Sequence, residues 1–250
     1  MDGASFRFHG GLNDFLPRTL REKTFFHEFT WRASIKDMVE SLGPPHCEVQ
    51  LLVMDGVSVD FDAIVKPGAQ IEVYDDLSAR DDLPEMRLLR PPLVDRPRFV
   101  LDAHLGRLSS YLRMIGFDTL YRNDYDDDEL AIISHTEGRV LLSRDIGLLK
   151  RSLVVYGYFI RQTSPRDRLL EVMRRFQLSP WVVPFKHCLK CNGALQEVEK
   201  AAILDQLTAT TATHYNEFHR CQHCGQIYWK GSHYEQMRAF LSQVLENELS

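Results

Sequence analysis

FVLDAHLGRLSSYLRMIGFDTLY, residues 99–121, is the stretch that decides the architecture. Phe99, Val100 and Leu101 form a short apolar run, and Asp102 ends it. Leu105, Leu108, Leu112 and Ile115 then recur at helical spacing up to Gly116, and FDTLYR starts a second short run. Further on, Val140, Leu141 and Leu142 repeat the pattern and lead into Ser143-Arg144-Asp145. Apolar runs this short predict strands buried on both faces, and hence a largely parallel sheet with helices outside it. Ligands of such a sheet collect beyond the carboxyl ends of its strands. Asp102 and Asp145 are predicted at that rim, and a third carboxylate from Asp126–Glu129 would complete a divalent-cation pocket. Converging carboxylates repel unless a cation or an arginine lies among them. Oxygen donors of this kind suit a hard ion such as Mg²⁺.

The alternation continues on the C-terminal side. A helix is predicted from near Asp127 to Gly138, then the RVLLS strand, a short IGLLKRS helix and a VVYGYFIR strand. SPRDRLLEVMRRFQL follows, with Ser164 as cap and Pro165 at the first helical position. The fold class is therefore α/β over residues 98–181. Aspartates at a helix start also cap it and favour its dipole, which is the plain alternative for Asp126, Asp128 and Glu129.

Residues 1–76 read differently. SFRFHG and TFFHEFTWR predict a strand pair, and SIKDMVESLG a helix capped by Ser34 and stopped at Gly43. EVQLLVMDGVSVDF carries a hairpin signal at Asp55-Gly56, and AQIEVYDD supplies a last strand. Strand, strand, helix, strand, strand suits a β-grasp. Residues 77–97 are rich in charge and proline and read as a linker.

The chain holds five cysteines, and four of them form C188-L-K-C191 and C221-Q-H-C224. Two C-x-x-C pairs predict a tetrahedral, four-thiolate zinc site in a ribbon spanning residues 182–250. Such a site has no open position, so its role is structural. Gly193 and Gly225 are expected to allow the tight turns after each pair, while His187, His219, His223 and His233 are surplus. Tyr228–Tyr234, YWKGSHY, mixes aromatics with Lys230, and EQMRAFLSQVLENEL predicts a terminal amphipathic helix.

The net charge of −5 hides an asymmetry. Residues 1–97 carry 11 Lys/Arg against 17 Asp/Glu, whereas residues 98–181 carry 13 against 11. With a cation offsetting some acids, Arg107, Arg113, Arg144, Lys150 and Arg151 are left to meet a polyanion. No apolar run approaches a membrane span, and no basic region precedes an apolar core at the N-terminus. Paired cysteines without a disulfide framework predict a reducing compartment, the cytoplasm.

D102-A-H-L-G-R-L, Y-L-R-M-I-G-F-D-T and L-L-S-R-D145 resemble the PIN-like ribonuclease family of the mut-seven C-terminal RNase domain. The resemblance covers residues 98–240. Residues 1–76 likewise resemble the ubiquitin-like domain that precedes certain of these ribonucleases, and are similar to small sulfur carriers. Carriers end in Gly-Gly, whereas here the last strand runs on through Tyr74-Asp75-Asp76, so a module that docks a protein partner or presents substrate is the better reading.

The resemblance implies metal-dependent hydrolysis of RNA by Asp102, Asp127 and Asp145 around Mg²⁺ or Mn²⁺. The resemblance also favours Asp127 over its neighbours, because its interval to Asp145 is similar to that of the family's toxin-type relatives. Arg144, and secondarily Arg107, would hold phosphate oxygens. Ser143 stands where many relatives have Thr, which keeps the hydroxyl. His104, Tyr111 and Tyr121 are secondary candidates for proton transfer or base stacking. The alternative is a non-catalytic RNA-binding or adaptor protein on the same fold. A phosphatase using Asp124 and Asp126 as a D-x-D pair is disfavoured, because that pair falls in a loop.

Overall fold

The structure, a computed structural model, describes residues 2–30, 32–76, 85–93 and 95–248, with residues 247 and 248 as backbone alone. Most of the expected linker (77–84 and 94), Trp31 of the second predicted strand and Leu249 of the last predicted helix lie outside the described residues. Two units emerge: residues 1–94 with Asp145–Phe159, and Asp95–Arg144 with residues 160–250.

In the first unit, β1 (Gly3–Phe8), β2 (Phe25–Glu28), α1 (Ile35–Leu42), β3 (Leu51–Met54), β4 (Val57–Val59) and β5 (Gln70–Tyr74) build the β-grasp. The sheet order is β2-β1-β5-β3-β4, with β1 and β5 parallel and every other pair antiparallel. Alternation places Ala4, Phe6 and Phe8 of β1 and Ile71 and Val73 of β5 in one core with Ile35, Met38 and Val39 of α1. Ser34 caps α1 by accepting the Asp37 N–H at 3.1 Å. Gly43 ends it at φ +141°, where a Cβ would stand 2.5 Å from the Phe15 carbonyl oxygen. Asp55 and Gly56 both have positive φ, as a two-residue hairpin turn between β3 and β4 requires.

The same unit takes in α4 (Ile146–Leu149) and β9 (Gly157–Phe159). Cys47 Sγ donates to the Leu149 carbonyl at 3.4 Å, and Lys150 Nζ donates to the Glu40 carbonyl. Glu48 accepts the Phe159 N–H, and the Arg90 guanidinium spans the carbonyls of His46, Cys47, Val49 and Val155. Gly157 leaves no room for a side chain, since a Cβ would lie 2.7 Å from Cys47 Sγ. Residues 145–159 are thus grouped with the β-grasp unit by contacts distant in sequence.

In the second unit, β6 (Phe99–Leu101), β7 (Thr119–Tyr121) and β8 (Val140–Ser143) run parallel, with β6 in the middle. Phe99 stands beside both Thr119 and Val140 in register. β6 and β8 are buried along their whole length, as the unbroken apolar runs predict. α2 (Gly106–Met114) covers the sheet through Leu108 and Leu112, flanked by the buried Leu105 and Ile115. α3 (Asp127–Glu137) inserts Leu130, Ala131 and Ser134 and stops at Gly138 in the left-handed region. α5 (Pro165–Arg175) is capped by Ser164 and buries Leu169, Val172 and Met173.

A second sheet follows, β10 (Leu195–Val198), β11 (Phe218–Cys221) and β12 (Ile227–Trp229), antiparallel in sequence order. A 3-10 stretch (Lys200–Gln206) and α6 (Ala209–His214) fill the long gap between the cysteine pairs. α7 (Ser232–Glu248) closes the chain, with Leu241 and Val244 buried and Phe240 against Tyr111 at 4.7 Å. Among the described residues no helix is long and apolar enough to cross a membrane.

Candidate metal centre and acidic strand ends

Cys188 and Cys191 lie just before β10, Cys221 ends β11, and Cys224 lies in the turn before β12. The four sulfurs lie within 4.8 Å of one another, with Cys188–Cys224 at 3.7 Å and Cys191–Cys221 at 3.4 Å. Four thiolates about 2.3 Å from one zinc would stand roughly 3.8 Å apart, so the set fits a tetrahedral ion. Each pair closes a matching turn: Asn192 N–H donates to the Cys188 carbonyl at 2.9 Å, and Gly225 N–H to the Cys221 carbonyl at 3.1 Å. The left-handed residues of the two turns are Asn192 (φ 71°) and Gly225 (φ 74°).

Gly193 therefore does not have the turn-forming role expected of it. It gives clearance instead, because a Cβ there would stand 2.8 Å from Cys221 Sγ. Asparagine tolerates the left-handed region and adds a side chain. Asn192 uses that side chain fully, accepting the Thr119 N–H at 2.9 Å and donating to Asp118 at 2.6 Å.

Burial raises the Cys221 thiol, but the N–H groups of Cys224 and His223 and the neighbouring sulfurs outweigh it and bring it down to about 6. One sulfur of the four is thus already biased to the thiolate, the metal-binding form. Tyr228 places its hydroxyl 3.2 Å from Cys188 Sγ and accepts the Leu189 N–H, so this aromatic of the YWKGSHY run closes the ribbon. Lys230 pairs with Glu217 at 2.6 Å.

Arg113 corrects another expectation. It is buried, not facing a polyanion; its Nε donates to the Thr119 carbonyl, and its Nη1 to the Leu189 and Lys190 carbonyls at 3.0 and 3.1 Å. The first cysteine turn is thereby fastened to the parallel sheet. Asp118 completes the joint by receiving both Arg139 Nη atoms, at 2.8 and 3.1 Å. Burial raises the Asp118 carboxyl, but the Arg139 and Asn192 hydrogen bonds outweigh it and hold it below the usual range. Sequence reading did not single out Asp118 and Arg139, whose partners are distant along the chain.

The acidic residues are each held locally. Asp102 directly follows β6; its Oδ1 accepts the Ala103 N–H and its Oδ2 accepts the Ser143 hydroxyl at 2.7 Å. Since β6 and β8 are adjacent and parallel, the segments leaving them at 102 and 144 start from one edge of the sheet. Asp127 is the exposed first residue of α3. Asp126 and Glu129 form the reciprocal capping box of that helix, the plain role weighed for them. Asp145 caps α4, its Oδ1 accepting from Gly147 and Leu148. Arg144 is exposed and donates to the Gln162 carbonyl at 3.1 Å, and Arg107 is exposed on α2. Tyr121 donates to the Ala103 carbonyl and Tyr111 packs on Phe240, so both serve the fold. Asp124 is paired with Arg122. Among the described residues, the group of His, Cys, Asp or Glu with converging ligand atoms is the cysteine set, and it includes none of these aspartates.

Two family models match the chain. The family model described as Mut7-C RNAse domain matches residues 97–241, and the one described as Mut7-C ubiquitin matches residues 1–81. No curated protein and no solved structure matches the chain.

Proposed function

The chain belongs to the Mut7-C RNAse domain family, and from that membership we propose that it is a metal-dependent ribonuclease that hydrolyses RNA phosphodiester bonds. The observation that carries the reading is the pairing of Asp102 with Ser143 at the carboxyl edge of β6 and β8. A carboxylate there is oriented by the scaffold and not by substrate. Each Asp102 oxygen receives one hydrogen bond from the protein, and a carboxylate oxygen has two lone pairs. The donor set of Asp102, Asp127 and Asp145 is all-oxygen and suits Mg²⁺ or Mn²⁺. Such an ion supplies Lewis-acid charge and lowers the pKa of water at neutral pH.

The chain's own groups do the rest. Asp102 and Asp145 act as fixed anionic donors, the first held by the Ala103 N–H and the Ser143 hydroxyl and the second by the Gly147 and Leu148 N–H groups. Asp127 contributes a further donor or orients the attacking water as a hydrogen-bond acceptor. Arg144 places a guanidinium on the phosphate, matching two oxygens at once. Zinc in the four-cysteine ribbon orders the segment after α5 and takes no part in the reaction. The β-grasp unit serves as a docking module for a protein partner, and the cytoplasm is the compartment in which free thiols persist.

The test is cleavage of end-labelled RNA with Mn²⁺ by the wild type, Asp102→Asn and Asp145→Asn. Loss in both variants with retained folding supports the assignment. Equal cleavage by all three would identify a contaminant and remove it. RNA binding without cleavage in the wild type would favour the adaptor reading.

A further inference from the structure

Arg144 and Arg168 come from distant points in the chain and converge on one atom. Arg144 Nη1 donates to the Gln162 carbonyl at 3.1 Å, and Arg168 Nε donates to the same oxygen at 3.0 Å. Arg144 follows the last residue of β8, and Arg168 lies in the first turns of α5. A single neutral carbonyl thus holds two cations side by side, where they repel. Among the described residues neither guanidinium lies within ion-pair distance of a carboxylate. Glu171 is near enough to favour the charge on Arg168, but its oxygens accept the backbone N–H groups of Arg161 and Gln162 at 2.9 and 3.0 Å. Each arginine has five N–H donors and directs one to Gln162, so most of both forks is left for another acceptor.

A like-charged pair held together without a carboxylate between its members is the arrangement a tetrahedral dianion or phosphodiester satisfies. Each guanidinium can donate to a non-bridging oxygen, and the bound anion offsets part of the repulsion.

We infer that Arg144 and Arg168 form a two-armed clamp that grips one backbone phosphate of the RNA strand. The identity of the strand rests on the ribonuclease reading. Arg168 is then a substrate-binding residue without a part in the bond-breaking step, and it sits within SPRDRLLEVMRR, where sequence pattern shows only a capped amphipathic helix.

The clamp is tested by fluorescence anisotropy with a short labelled 2′-O-methyl oligoribonucleotide in buffer without added divalent ions. The full chain is used as wild type, Arg144→Gln, Arg168→Gln and the double variant, across a salt series. Each single substitution is expected to weaken binding about tenfold at low salt and to lower the slope of log K against log salt by about 0.7. Because both arms grip one phosphate, the double variant should bind only about twofold more weakly than the weaker single variant. A lowered melting temperature with an unchanged salt slope would mean that Arg168 only anchors Gln162, which overturns the clamp. Fully additive losses would mean separate phosphates and would overturn it as well. Parallel cleavage assays separate the two readings. Asp102→Asn inactive with Arg168→Gln binding normally removes the clamp alone, whereas an active Asp102→Asn removes the catalytic assignment and leaves the binding result standing.

Discussion

Ser143 and Asp102 meet across two adjacent parallel strands, the Ser143 hydroxyl donating to Asp102 Oδ2 at 2.7 Å. Ser143 is fully buried, so its hydroxyl is part of the interior that aims the carboxylate. Ser143→Ala should destabilise the protein by about 1.5–3 kcal/mol, since a hydrogen bond to a charged group is lost. It should also lower the cleavage rate about tenfold by loosening Asp102. Ser143→Thr keeps the hydroxyl and should restore the rate. A rate in Ser143→Ala equal to wild type, at matched folding, would show that Asp102 needs no such support.

The four-sulfur cluster predicts that zinc leaves with the fold of residues 182–250. Denatured protein should release zinc to a chromogenic chelator, and Cys188→Ser with Cys221→Ser should release none. Apparent binding free energies for such sites are on the order of 10–16 kcal/mol in peptides, enough to order a segment with a small core. Amide exchange in β10–β12 should therefore rise sharply in the double variant. Unchanged protection there would disprove the structural role.

Arg113 is a buried cation whose donors satisfy the carbonyls of Thr119, Leu189 and Lys190. Arg113→Met should cost roughly 3 kcal/mol, because three carbonyls lose a charged donor together. Arg113→Lys should recover little, as one ammonium cannot reproduce the planar fork. Urea unfolding of the two variants measures this, and a full recovery by lysine would show that charge alone matters.

Asp118 sets a pH dependence. Its folded-state carboxyl is depressed: burial raises it, but the hydrogen bonds from Arg139 and Asn192 win. A depressed carboxyl contributes stability above its unfolded value of about 3.9, and that contribution disappears as pH falls through the lower folded value. Melting temperatures of wild type and Asp118→Asn should therefore differ most above that unfolded value and converge in acid below it. A difference that stayed constant down to strong acid would mean that Asp118 is not ionised in the joint.

Much of this protein is legible along the chain because the deciding interactions are short in range. Ser34, Asp126 and Ser164 cap the helices that follow them, and Asp55-Gly56 turns its hairpin. The uninterrupted runs at Phe99 and Val140 became fully buried parallel strands. In each case a residue reports on neighbours within one turn or one strand. The C-x-x-C spacing works the same way within each pair, since three residues fix where two sulfurs point.

What escaped the sequence depends on residues far apart. The pattern of IGLLKRS and VVYGYFIR identifies a helix and a strand but not their contacts with Cys47, Glu48 and Arg90, which lie 102, 111 and 65 positions before their partners. Arg113 has the spacing of an exposed helix residue and is buried, because two carbonyls of the first cysteine turn arrive to receive it. Arg168 meets Arg144 only because the chain returns beside β8, where Ile160 N–H reaches the Ser143 carbonyl at 2.9 Å. Element type, cap, turn and metal-ligand spacing were determined by the sequence itself, since local sterics and hydrogen bonds set them. Which charge is buried, which loop a side chain fastens and which cations share an acceptor were decided only by the tertiary structure, because each needs a partner whose position no local rule supplies.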